Sequence, residues 1–386
     1  MRLERRSLLR AAGAAALALS PLGRDGQVAR AATSDPLAPW AQAPAAAAHP
    51  DPRIRALAWA VLAPNPHNRQ PWIAELPSSA PDMVVLRCDL DRRLPVTDPF
   101  DRQITIGLGA FAELCRQAAA EEGRAVTVIP FPDGEPQPRL DARPVALLRF
   151  SPPGSAAPDP LFRHAAARRS AKVPYDLARP VPAEAMATLA AATAAPLRFD
   201  ATHDPARVAA LRDLAARSFT IEMETSRSLM ESVELIRLGR AEVAANPDGI
   251  SVWGPGIEEM VAAGRLTRAD MLPGRAGHPV MMERYLTAMA ATPAFVWLAS
   301  PPGRAAELAA GRDWLRVNLA ATGLGLGLHP ISQALQEFPE MRAAYLEAHR
   351  MLAPEGGVVQ MLGRLGYARA VPPTPRWPVD TRIRAV

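Results

Sequence analysis

Pro64 and Pro66 set the strongest constraint in this chain: they stop an apolar helix and force the backbone into a polar nonapeptide, PNPHNRQPW, at residues 64–72. The helix before them spans residues 53–62, where Ile54, Leu57, Ala58, Val61 and Leu62 recur with the 3.6-residue period of a buried stripe. Proline has no N–H to donate and its ring clashes with the preceding turn, so the helix cannot continue. Asn65, Asn68 and Gln70 then place amide donors and acceptors on a stiffened loop, the chemistry that reads a planar heterocycle of alternating carbonyl and N–H groups. Pro71 and Trp72 anchor the exit of the loop in the core. Asn and Pro are also the ordinary residues of surface turns, so Asn-Pro alone implies nothing. The whole nonapeptide is richer than a turn requires.

A second cluster, RRSAK at residues 168–172, follows a predicted helix and precedes Pro174. Two guanidiniums, a hydroxyl and an ammonium within five residues suit a phosphate monoester: Arg168 and Arg169 offer planar forks, Lys172 a point charge and Ser170 a short hydrogen bond. Short runs of charge more often form a solvated face. One fact favours the site: of the 44 basic residues only Lys172 is lysine, and it falls inside this cluster.

The two clusters together resemble the nitroreductase family, in which an Arg-x-Ser-x-Arg/Lys segment grips the FMN phosphate and an Asn-x-Gln-Pro-Trp loop borders the isoalloxazine. The resemblance implies that Arg168, Ser170 and Lys172, with Arg169 beside them, hold the phosphate and ribityl end, and that Asn65, Pro66, His67, Asn68 and Gln70 flank the ring. Residues 311–333 resemble the family's helix and the strand beside flavin N5, which implies a role for Pro330, Ile331, Ser332 and Gln333 and a backbone N–H facing N5 from Ser332 or Gln333. Arg364, Gly366, Tyr367, Pro375 and Arg376 resemble the closing segment, whose last arginine reaches the phosphate. The pattern covers nearly the whole chain after residue 53.

Family members are mostly short chains that dimerise around two equivalent flavin sites. Here residues 53–150 supply the nonapeptide without a preceding Arg-x-Ser-x-Lys segment, while residues 151–386 supply RRSAK without a second Gln-Pro-Trp loop. The resemblance is therefore to the two-repeat, Acg-type branch: an α/β (α+β) nitroreductase-like fold, internally duplicated as a single-chain pseudo-dimer with one complete FMN site. Residues 249–279, rich in Gly and Pro, form a flap or a connector. The implied function is an FMN-dependent oxidoreductase passing electrons from a small-molecule donor to a nitroaromatic, quinone or similar acceptor, with no catalytic side chain besides the flavin. The alternatives are an FMN-sequestering protein of the same fold and, further off, a flavin-free scaffold.

The amino terminus bears on location. Arg5 and Arg6 followed by an Ala/Leu run to Leu19 have the n- and h-regions of a twin-arginine signal over residues 1–31, too short to span a bilayer, which needs roughly 20 apolar residues. This predicts export by the twin-arginine machinery to the periplasm, a route for proteins already folded around a cofactor. Residues 32–52 read as a flexible tail. Removing residues 1–31 takes away six arginines and two acids, so the formal charge falls from +5 to about +1 and argues no nucleic-acid partner. An internal pseudo-dimer makes a monomer plausible. The seven histidines show no metal-ligand spacing, and Gly323, Gly325 and Gly327 lack the third position of a dinucleotide fingerprint. A bridge between Cys88 and Cys115 is neither implied nor excluded.

The sequence pattern predicts strands at residues 83–88, 125–131, 145–150, 294–300 and 358–365. Helices are predicted at 103–122, 205–245, 281–291 and 305–321.

Overall fold

The computed structural model describes residues 35–386. Residues 1–31, expected to form a twin-arginine signal, lie outside the described residues. The first part runs α1 (Ala38–Ala45), α2 (Pro52–Ala60), β1 (Trp72–Leu76), β2 (Met83–Cys88), α3 (Arg102–Ala120), β3 (Arg124–Pro130) and β4 (Ala146–Pro153). The chain continues through α4 (Ala183–Ala191), β5 (Arg198–Thr202), α5 (Pro205–Glu224), α6 (Ser226–Glu234), β6 (Ile236–Leu238), α7 (Gly239–Ala245), β7 (Ile250–Val252), α8 (Ile257–Ala262) and α9 (Gly277–Ala290). It ends with β8 (Ala294–Ser300), α10 (Arg304–Gly323), β9 (Gly327–Pro330), α11 (Arg342–Leu352), β10 (Val358–Gly366) and β11 (Ile383–Ala385).

Local chemistry explains the main boundaries. Asp51 caps α2 by accepting from Arg53 N, with Pro52 pre-set at the first helical position, and Asp204 with Pro205 starts α5 the same way. The carboxylate of Asp98 accepts from Gln103 N at 3.0 Å and Ile104 N at 2.9 Å, so α3 begins on a fully buried acid.

The fold is mixed α/β with two main sheets of matching plan. The first has the order β1-β2-β4-β3 with every neighbour antiparallel, and the second has β5-β8-β10-β9, also antiparallel throughout. In each, one long helix links the second strand to the third: α3 from β2 to β3, and α10 from β8 to β9. These helices pack against each other at the centre. A Cβ on Gly109 would stand 2.0 Å from Leu308 O, and one on Gly311 would stand 2.0 Å from Ile106 O, so both backbones require glycine to approach this closely. The first residues of the two helices are equivalent as well. Arg102, buried, donates to Leu335 O and Gln360 O in the second half, while Arg304, buried, donates to Pro136 O and Pro138 O in the first.

The chain then crosses back. After β10 a tail runs to β11, which joins the first sheet parallel to β1, with Ala74 opposite Ile383. Residues 151–386 thus do not form a self-contained unit, because their last strand belongs to the sheet of the first half.

Two expectations need correction. Residues 32–52 are not a plain flexible tail: α1 forms within them, Trp40 Nε1 donates to Thr374 O and Arg376 N donates to Pro36 O. The single helix expected over 205–245 is divided. Thr225 is extended at ψ 101°, α6 restarts behind it, and Ile236–Leu238 pair with Ile250–Val252 as a two-stranded ribbon before Gly239 turns at φ 73° into α7. Apolar periodicity carried through all three segments because each buries one face.

Candidate functional site

The nonapeptide leaves α2 and enters β1. Its residues His67, Asn68 and Gln70 have φ of 47°, 52° and 51°, a left-handed conformation that is costly for non-glycine residues and persists only when the surroundings hold it. The holding contacts are the very amides assigned to reading a heterocycle. Asn65 Nδ2 donates to Ala63 O and its Oδ1 accepts from Gln70 N at 2.7 Å. Asn68 Nδ2 donates to Pro375 O, and its Oδ1 accepts from the Arg376 guanidinium at 2.6 Å. Gln70, fully buried, donates to Pro247 O at 2.7 Å and accepts from Trp377 N at 2.9 Å. These three side chains therefore shape the loop and tie it to the tail and to residues 247–249. Trp72 is the core anchor expected of it, buried and stacked on Phe111 at 4.9 Å.

RRSAK runs beside β9, with Ser170 bridged in parallel to Leu328. Arg168 and Arg376 converge on the end of the α2 helix: both donate to Leu62 O, at 3.0 and 3.4 Å, and Arg376 also to Ala63 O. Arg169 and Arg376 share the indole of Trp40, at 4.5 and 5.7 Å from its ring centre. Burial, then the neighbouring guanidiniums, push Arg376 down to about 9, and burial with Arg169 pushes Arg168 down to about 10. Guanidiniums stay charged at neutral pH, so these shifts express an unmet demand for a counter-anion. Among the described residues no carboxylate pairs with Arg168, Arg169 or Arg376. The Nε atoms of Arg169 and Arg376 are buried without a partner. A buried orphaned donor on an uncompensated cation is a place prepared for an anion.

Lys172 lies one step further along. The residue is exposed, yet the surrounding protein lowers its ammonium pKa by desolvation first and by Arg284 second, against the attraction of Glu222. Arg364, fully buried, fixes this segment: it donates to Ala171 O at 3.0 Å and Val173 O at 2.7 Å, and to Ala288 O in α9. Its Nε donates to His329 Nδ1 at 2.9 Å, which leaves the proton of a neutral His329 on Nε2. Burial, then Arg364 and Lys172, hold His329 neutral. His67 is likewise pushed down to about 4 by burial and by the charges of Lys172 and Arg69, and its Nδ1 is buried without a partner.

The far wall comes from β9 and the turn after it. Pro330 pairs with Gly363, and buried Ile331 donates its N–H to Leu362 O. Ser332 N–H meets no acceptor among the described residues. Gln333 Oε1 accepts from the Tyr285 hydroxyl at 2.7 Å, and Tyr285 stacks on Phe219 at 3.7 Å and stands edge-on to His329 at 6.2 Å.

The structure thus brings together Arg168, Arg169, Arg376, Lys172, His67 and the turn at Ser332 from both halves of the chain. Trp40, Tyr285 and Glu222 escaped the sequence reading. Glu222 left a signal: an acid on the apolar stripe of α5, after Leu211, Ala215, Ser218 and Phe219. Cys88 and Cys115 are separate buried thiols, both pushed up by burial. Among the described residues no group of His, Cys, Asp and Glu could hold a metal, and no helix is long and apolar enough to cross a membrane.

The donor set suits FMN at its phosphate end, where orphaned guanidinium donors meet, and at one ring edge, where Ser332 N–H is free. It does not suit ring recognition by the Asn65, Asn68 and Gln70 side chains.

No family model matches the chain. It is 28% identical over 338 residues to two proteins named "Putative NAD(P)H nitroreductase" from two strains of Mycobacterium tuberculosis, covering 83% of this chain and 87% of each of theirs. Among solved structures, it resembles a nitroreductase with bound FMN from Bacteroides fragilis at 17% identity and TM-score 0.31, over 55% of this chain and 89% of the other. The FMN-dependent nitroreductase NfnB of Mycobacterium smegmatis, in complex with NADPH, aligns at 18% identity and TM-score 0.35, over 57% and 96%. The chain is similar to nitroreductases along most of its length.

Proposed function

We propose that this chain is an FMN-dependent oxidoreductase of the nitroreductase type, with both family repeats in one polypeptide and one composite flavin site. The observation that carries the reading is the buried pair Arg168 and Arg376 with half-buried Arg169, none paired with a carboxylate among the described residues, set beside Lys172 and the strained 64–72 loop. The matching strand order of the two sheets supports an internal duplication, and the similarity to the two mycobacterial proteins supports the reaction class.

In this reading Arg169 and Arg376 hold the phosphate through their free Nε donors, and Arg168 sets the local potential from beneath. Trp40 covers the two outer guanidiniums and keeps water from them. Lys172 faces the ring and ribityl side, held at its height by the Arg364 fork. Ser332 offers its N–H to the ring edge, and Gln333 is fixed by Tyr285. Bound FMN would supply a two-electron centre that accepts hydride and returns it to an acceptor. The side chains bind and orient; with His67 and His329 held neutral, Lys172 brings positive charge to the ring side.

Export by the twin-arginine route belongs to the same proposal and rests on residues 1–31 of the sequence. An exported enzyme meets little NAD(P)H, so the physiological donor would be another small two-electron reductant.

The test is the visible spectrum of purified protein, with the chromophore released, identified and counted. About one FMN per chain, reduced by a hydride donor and reoxidised by a quinone or nitroaromatic, is the expected result. No flavin after incubation with FMN would end the reading, and a bound flavin inert to every donor would leave sequestration in its place.

A further inference from the structure

Near Lys172 lies a buried acid that the binding of FMN does not use. Glu222 projects from α5, is 2% exposed, and its Oε2 has no hydrogen-bond partner. Polar or charged groups face it from four sides. Gln333 and Gln336 face it from the turn after β9, Lys172 from the segment beside β9, Tyr285 from α9 and Glu231 from α6. Behind Lys172 stands Arg284 of α9, and His329 and His67 are neutral. Lys172 is therefore a cation that opposes protonation of Glu222, and it is the same ammonium that faces the ring side of the proposed flavin site.

We propose that Glu222 is the redox-linked proton acceptor of this site, taking up a proton when the cofactor is reduced and giving it back when the acceptor is. The proposal rests on the flavin reading above. Reduction by a hydride donor would bring two electrons and one proton to the bound cofactor, adding one negative charge beside Lys172. That charge claims Lys172, and a proton from solvent forms an O–H bond on the Glu222 carboxylate, so the charge of the site is unchanged. In the oxidative half, hydride passes to a carbonyl-type acceptor, the Glu222 O–H bond breaks, and its proton reaches the acceptor oxygen through solvent. The acceptor thereby gains two electrons and two hydrogens, as a quinone does in becoming a quinol.

The electrostatics agree with this role. Burial raises the Glu222 carboxyl to about 7 and Glu231 pushes the same way, while the amides of Gln333 and Gln336 and the charge of Lys172 act against them. A carboxyl poised near neutrality responds to a single added charge nearby.

Two measurements test it, each with wild type, Glu222→Gln and Glu222→Asp. In flavin-free protein, infrared titration should show a protonated carboxyl band that fades around pH 7 and is missing from Glu222→Gln; a wild type without that band overturns the proposal. In flavin-loaded protein, the midpoint potential is followed from pH 5.5 to 8.5. Wild type and Glu222→Asp should lose an extra tenfold in reduction equilibrium per pH unit above neutrality, about 30 mV for a two-electron couple, relative to Glu222→Gln. Equal slopes in all three, with flavin bound, overturn the proposal alone. Failure of wild type to bind flavin overturns the functional reading together with it.

Discussion

At the residue scale, charged side chains and amides carry different amounts of information in a sequence. Lys172 stood out as the one lysine among 44 basic residues, and guanidiniums without acids beside them have few uses besides holding an anion. An amide in a loop serves a ligand or its own backbone equally well. Only the bonds of Asn65, Asn68 and Gln70 to Ala63, Pro375 and Pro247 decide between the two. The binding test follows from the orphaned donors. Arg169→Ala or Arg376→Ala should each weaken FMN binding by about 1.5–3 kcal/mol, roughly tenfold to a hundredfold, in a fluorescence titration. Unchanged affinity in both would remove the phosphate assignment.

His67 gives a prediction in pH at the same scale. Its folded-state pKa of about 4 lies below the unfolded value near 6.5, so the unfolded chain binds the extra proton between these values. Its contribution is therefore present above pH 6.5 and is lost as pH falls toward 4, by up to ~3 kcal/mol. Urea denaturation at pH 7 and pH 5 should show a loss in wild type that is smaller in His67→Gln. An identical pH dependence in the two proteins would show that another group titrates.

At the element scale, the reading of strands depended on burial pattern. Met83–Cys88 and Ala294–Ser300 match their predicted bounds because each is a short apolar run with β-branched or aromatic residues, the mark of a central strand. Arg198–Thr202 and Ile383–Ala385 sit at sheet edges with half their residues exposed, so no periodicity marked them. The crossing of α3 and α10 was equally silent, since Gly109 and Gly311 inside helices look like weak spots until a second helix lies against them. Gly109→Ala or Gly311→Ala would drive a methyl group into a carbonyl of the facing helix and should destabilise the protein by about 3 kcal/mol or more. Thermal unfolding checks this; a melting temperature within a degree of wild type for either variant would mean that the helices cross less closely.

At the scale of the whole molecule, the candidate site depends on the chain returning to its beginning. The loop comes from the first half, RRSAK and the Ser332 turn from the second, and Arg376 from the tail that carries β11 back to β1. If the two sheets of one plan around α3 and α10 are the two repeats proposed above, one chain should suffice. Light scattering should then give the mass of a single chain with about one FMN, and two chains per particle with the flavin shared between them would contradict the pseudo-dimer. Truncation separates the two duties of the tail. Removing residues 383–386 deletes β11 but leaves Arg376 with its bonds to Asn68, Leu62 and Ala63, so stability should fall while FMN is retained. Removing residues 367–386 also takes Arg376 and Trp377, and with them the anion site and the acceptor of the Trp40 indole at Thr374 O. That shorter protein should lose FMN even where circular dichroism shows it folded. Retention of FMN by it at wild-type affinity would place the phosphate elsewhere in the molecule.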